Sequence, residues 1–173
     1  MASPTYTAKK GTYEEFLEVF DPEVNDPTDM LFNGLTNMDP EARAAICNDM
    51  LDRGADATVV DYGQNTLTLL LSHDDLGDGD PALVQRLVEA GAAVNFRESH
   101  GDTPIKLAVK IGAESDEQRR PIYEALFGKD VDLDEPSSVR NPKNKIGEWL
   151  RMCVDHQPEG LKVLDEFLTA RGF

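Results

Sequence analysis

The chain has 173 residues, enough for one domain with a sizeable core. Lys plus Arg is 17 and Asp plus Glu is 33, for a formal charge of −16. A surface of that sign repels phosphate backbones and anionic lipid headgroups, which argues against nucleic-acid and membrane partners and for a basic protein partner.

In chain order, Met1 to Thr12 is polar and has no apolar h-region, so no secretory signal is expected. Nor does any apolar run approach the roughly 20 residues that span a bilayer. Cys47 and Cys153 are too few and too far apart for a disulfide framework. They read as reduced thiols in helices, which suits a cytoplasmic protein. The segment from Tyr13 to Phe20 predicts a short helix, with Phe16, Leu17, Val19 and Phe20 covering whatever follows.

Beyond it the chain repeats. Gly54, Gly91 and Gly128 are each 37 residues apart, and each follows an amphipathic segment, as a helix C-cap glycine would. In the third copy the apolar pair Leu126-Phe127 sits two residues closer to its glycine. Pro40, Pro81, Pro121 and Pro158 each precede a 3.6-period apolar stripe, which predicts helices starting at these prolines, two of them capped by Asp39 and Asp80. Shorter apolar stretches lie between: Met30 to Leu35, Leu67 to Leu71, Ile105 to Ile111, and Ile146 to Cys153. The chain therefore reads as one domain of four stacked helix–loop–helix units, about residues 26–62, 63–100, 101–140 and 141–173, behind an N-terminal cap of residues 1–25. The loops Ser72 to Asp80 and Ala113 to Arg120 are long for such units.

The segment Gly101-Asp102-Thr103-Pro104-Ile105-Lys106-Leu107-Ala108-Val109-Lys110-Ile111-Gly112 resembles the G-x-T-P-L-H-x-A-A-x-x-G signature of the ankyrin repeat family. Gly91-Ala92-Ala93-Val94-Asn95 is similar to that family's G-A-D-V-N ending. The match is good over residues 50–135. It is weaker at Gly63-Gln64-Asn65-Thr66-Leu67, and weaker still at both ends. The resemblance implies an all-α, ankyrin-like solenoid of about four repeats, and a binding surface on projecting loops and the open faces of first helices. By position that surface contains Asp61, Tyr62 and Gln64 from one loop, and Phe96, Arg97, Glu98, His100 and Asp102 from the next. Lys106 and Lys110 would face outward from the following helix, and Arg140 would stand in a basic spot with Lys143 and Lys145. Phe96 is either an exposed anchor or tucked into its neighbour, and Trp149 is expected in the core.

Signs of chemistry are sparse. His73, His100 and His156 lie in no metal-ligand spacing, and there is no phosphate-binding loop. A Cys153–His156 pair could in principle form a nucleophile, but Cys153 sits in an apolar stretch. An EF-hand loop counted from Asp74 ends on Gln85 where Glu is needed, and one counted from Asp130 has Pro136 at the glycine position. No catalytic residue, cofactor or metal is expected, and the charge favours a monomer. The leading expectation is a protein–protein interaction module, and its sharper form is a bacterial immunity or inhibitor protein that occludes a basic toxin or enzyme. A generic adaptor and an acidic nucleic-acid mimic are the alternatives.

Overall fold

The computed structural model describes residues 2–173. The helices fall into five successive pairs: α1 (Pro4–Lys10) with α2 (Tyr13–Val19), α3 (Pro27–Gly34) with α4 (Pro40–Asp52), α5 (Thr66–Leu70) with α6 (Asp80–Glu89), α7 (Pro104–Lys110) with α8 (Asp116–Phe127), and α9 (Ile146–His156) with α10 (Lys162–Ala170). The second helices form one layer, α2 on α4, α4 on α6, α6 on α8 and α8 on α10. The shorter first helices form the other, with α1 against α3 and α5 against α7. A single buried apolar cluster runs the length of the stack, from Ala8 to Leu168.

Local chemistry starts most helices. Ser3, Asp26 and Asp39 each cap a helix that opens on proline, whose missing N–H is not needed there. Thr12 and Glu15 form a reciprocal capping box at α2. The N-terminal cap is thus a helix pair where one helix was expected. Its first member is short and buries only Thr7 and Ala8, so it leaves no apolar period to read.

Buried ion pairs join the units. Arg43 of α4 donates from Nε and Nη2 to Asp80 of α6 at 3.0 and 2.5 Å, and from Nη1 to the Asn37 carbonyl at 2.7 Å. The two side chains are 2% and 0% exposed, so every charged atom must be matched. Asp80 was read as a cap, but it lies inside α6, and its carboxylate accepts from Arg43 and from the Gly77 N–H. A second joint centres on Asp116, which accepts from the Tyr123 hydroxyl at 2.7 Å and from the Val163 and Leu164 N–H groups of α10 at 2.8 and 2.9 Å. A buried carboxylate here satisfies a helix N-terminus of the next unit.

The expectation of an all-α ankyrin-like solenoid needs correction, because two loops close as antiparallel hairpins. In the first, β1 (Val60–Asp61) pairs with β2 (Gln64–Asn65). In the second, β3 (Pro136–Ser138) pairs with β4 (Asn141–Lys145). The fold is therefore mixed, helical pairs with small sheets at one edge. The first hairpin closes through Tyr62 and Gly63 at φ 48° and 72°, the double left-handed turn that suits the twist of paired strands. The long loops inside the second and third units are also tied to each other. The Leu76 N–H donates to the Gly112 carbonyl and the Gly112 N–H to the Asp74 carbonyl, both at 2.8 Å. A Cβ at residue 112 would come within 2.1 Å of the Asp75 carboxylate and 3.0 Å of the Asp74 carbonyl, so a larger residue at this crossing would have to displace the Asp75 side chain.

Two proline positions differ from expectation. Pro121 lies inside α8, which starts five residues earlier at Asp116, and Pro158 lies in the turn before α10. Gly54 and Gly91 take the left-handed conformation at φ 89° and 104° as expected. Gly128 does not; Asp130, two residues later, takes it at φ 56°. The shift equals the two-residue slip of the apolar pair in that copy.

Candidate functional site

The hairpins and the open sides of α3, α5, α7 and α9 form one face, and most of the expected contact residues lie on it in two distinct roles. Asp61, Tyr62, His100, Lys110 and Arg140 are solvent-facing. Gln64, Phe96, Arg97 and Asp102 are half-buried, while Glu98 and Lys106 are buried.

The buried members build the scaffold. Glu98 accepts from the Asp102 N–H at 2.8 Å and from the Gln64 side chain at 3.0 Å, and His100 Nδ1 lies 3.0 Å away. Burial pushes the Glu98 carboxyl up, but the hydrogen bonds from Asp102, His100 and Gln64 outweigh it and hold it below the usual carboxylate range. The Ser99 N–H donates to the Gly63 carbonyl at 3.0 Å, so successive loops touch. Arg97 donates to the carbonyls of Gly101 at 2.7 Å and Pro136 at 2.5 Å, clamping its loop to the next hairpin. Lys106 corrects the outward-facing expectation. It is only 6% exposed, and its ammonium donates to the Ser137 carbonyl and pairs with Asp102 at 3.3 Å. A lysine stem long enough to reach the next hairpin overrides the polar-outward rule.

Two clefts interrupt the face. One, of about 490 Å³, is lined by Thr5 and Lys9 of α1, Asp29 and Phe32 of α3, Leu69 of α5, and Asp61, Tyr62 and Gln64 of the first hairpin. Tyr62 is 86% exposed, the most exposed large apolar side chain of the described residues. The other, of about 700 Å³, lies between α7 and α9 and includes Val109, Lys110, Trp149, Met152 and Cys153. Trp149, expected in the core, is half-buried at this cleft.

The two ends of the face differ in charge. Residues 1–90 carry 18 acidic and 5 basic side chains, and residues 91–173 carry 15 and 12. Phe32, Leu69, Val109, Trp149 and Met152 were missed as face residues. Phe32 and Val109 each stand six residues after their helix caps, Asp26 and Thr103, the one regularity in sequence position that they share.

No hydrogen bond joins Cys153 to His156; His156 Nδ1 sits 2.8 Å from the Met152 carbonyl of its own helix. Burial pushes the Cys153 thiol up against the pull of the Lys106 and Lys110 ammoniums. Among the described residues, no group of three or more His, Cys, Asp or Glu side chains converges on a metal-sized site. Among the same residues, no helix is long and apolar enough to cross a membrane.

The sequence matches no protein-family model and no curated protein. The fold is similar to the crystal structure of a functionally unknown protein from Leptotrichia buccalis C-1013-b. The TM-score is 0.74 at 21% identity, over 99% of this chain and 95% of that one. That likeness extends over the whole architecture and lends no support to an ankyrin assignment.

Proposed function

We propose that this chain is a protein-binding module that holds a basic partner protein against its hairpin face and works as an inhibitor, by covering the partner's working surface. The observation that carries this reading is Tyr62. A non-glycine residue at positive φ costs roughly 1–2 kcal/mol, and the side chain it positions is 86% exposed, so the molecule itself gains no packing from it. An exposed aromatic side chain beside the apolar Phe32 and Leu69, the acidic Asp29 and Asp61 and a single lysine, Lys9, has the composition of an interface hot spot for a cationic partner. The hairpin that carries it is tied to the next loop by the Gln64–Glu98 and Ser99–Gly63 hydrogen bonds, which limits the ordering cost on binding.

The test is capture from lysate of the source organism with the wild type and with Tyr62→Ala, at low and at moderate salt. One basic protein in about equimolar amount, lost with Tyr62→Ala and weakened by salt, supports the reading. A partner retained by Tyr62→Ala removes this face from the interface. Capture of many unrelated DNA-binding proteins would instead support a nucleic-acid mimic.

A further inference from the structure

At the other end of the face, the cleft between α7 and α9 has a makeup that the partner contact at Tyr62 does not use. Trp149, Met152, Val109 and Leu161 give it apolar walls. The ammoniums of Lys106 and Lys110 lie 4.9 and 5.9 Å from the Trp149 ring centroid. Arg119 of α8 lines the cleft and is only 8% exposed. Its Nη2 donates to the Ile111 carbonyl at 2.6 Å and its Nη1 to Asp116 at 3.4 Å, but its Nε–H has no acceptor. That N–H is itself enclosed, so what Arg119 offers the cleft is the positive charge of its guanidinium rather than this donor.

The local charge count fixes the kind of ligand. Lys106, Lys110 and Arg119 face Asp102 and Asp116, which leaves one positive charge over. The geometry points to this cleft as a binding site for a small organic monoanion, a carboxylate carried on an apolar or aromatic body. The body lies against Trp149 and Met152, and the head is directed to Lys110 and the Arg119 wall. This site is independent of the protein-binding reading, since it uses neither Tyr62 nor the acidic half of the face.

Trp149 is the chain's single tryptophan, so its emission reports on the cleft directly. The probes are 3-phenylpropionate and its neutral isostere 3-phenylpropionamide, titrated at physiological ionic strength. The expected result is a saturable change with the carboxylate and binding about ten-fold weaker with the amide, the loss that follows when one charge-assisted hydrogen bond is removed. Lys110→Ala weakens the carboxylate by a similar factor, and Met152→Glu abolishes its binding by like-charge repulsion. Both positions are exposed, so neither change threatens the fold. Equal responses to acid and amide overturn the anionic head. No saturable change with either overturns the site, and unchanged binding in both variants overturns its placement in this cleft.

Discussion

The two halves of the molecule join their helical pairs by opposite arrangements. In the N-terminal half a buried arginine, Arg43, meets a buried carboxylate, Asp80, and the charges cancel inside. In the C-terminal half the carboxylate of Asp116 is satisfied chiefly by neutral donors, the Tyr123 hydroxyl and the first N–H groups of α10, with Arg119 at a longer 3.4 Å. The surfaces follow the same division. Residues 1–90 hold only 5 basic side chains against 18 acidic ones, whereas residues 91–173 hold 12 against 15. A repeated scaffold thus leaves one strongly acidic end and one nearly balanced end.

The largest effect should come from breaking the matched joint. Arg43→Ala leaves Asp80 charged, buried and unpaired, which costs about 3–5 kcal/mol, whereas replacing both partners by apolar residues is near neutral in other proteins. Denaturant unfolding of Arg43→Ala and of Arg43→Met with Asp80→Leu reads both. If the single variant lost under about 1 kcal/mol, the joint would not carry the weight given to it. The loss from Lys106→Met should be smaller, about 1–3 kcal/mol, because the Ser137 carbonyl would be left without its donor. A neutral result would restore Lys106 to the solvent-facing role that its sequence position suggested.

The C-terminal joint should show itself in alkali. Burial raises the Tyr123 hydroxyl above the ordinary tyrosine range, and the Asp116 charge and hydrogen bond raise it further. With the folded pKa above the unfolded one, the stability held by the neutral hydroxyl is fully present below about pH 10 and drains away as pH rises beyond it. Burial raises the Cys47 thiol in the same sense, so its share begins to fall about one unit earlier. Stability measured from pH 8 to 11 should therefore decline, and Tyr123→Phe should flatten the part above pH 10. An equally steep decline in Tyr123→Phe would take the Asp116–Tyr123 contact out of the explanation.

How much of this was legible in the sequence depends on how local its cause was. The first helices, the cap at Asp39 and the glycine turns at Gly54 and Gly91 were readable, because residues within one turn decide them. Pro121 misled because Asp116 and Glu117 start α8 upstream, and Asp116 is placed by helix α10, some 47 residues away. Lys106 and Arg97 misled for the same reason, since their partners Ser137 and Pro136 lie 31 and 39 residues on. The hairpin at Tyr62 was visible as a loop but not as paired strands, since two-residue strands carry no alternation to read. Of the face, the loop residues were found by position, and the clefts were not, because a cleft is the space left between elements whose spacing the sequence does not state.

The smallest predicted effect separates the two ends most sharply. Tyr62→Asn places an Asn-Gly pair in the turn that favours it, so the fold should gain about 0.5–1 kcal/mol from relief at φ 48°. The same change removes the aromatic anchor, so affinity for a basic partner should fall at least about ten-fold. Binding of 3-phenylpropionate at Trp149 should be unchanged, since that cleft shares no lining residue with Tyr62. Thermal unfolding and partner titration of one variant then test a single trade: stability withheld at residue 62 so that the acidic end can hold a partner. A variant both more stable and fully competent to bind would mean that the strain at Tyr62 serves something other than the interface.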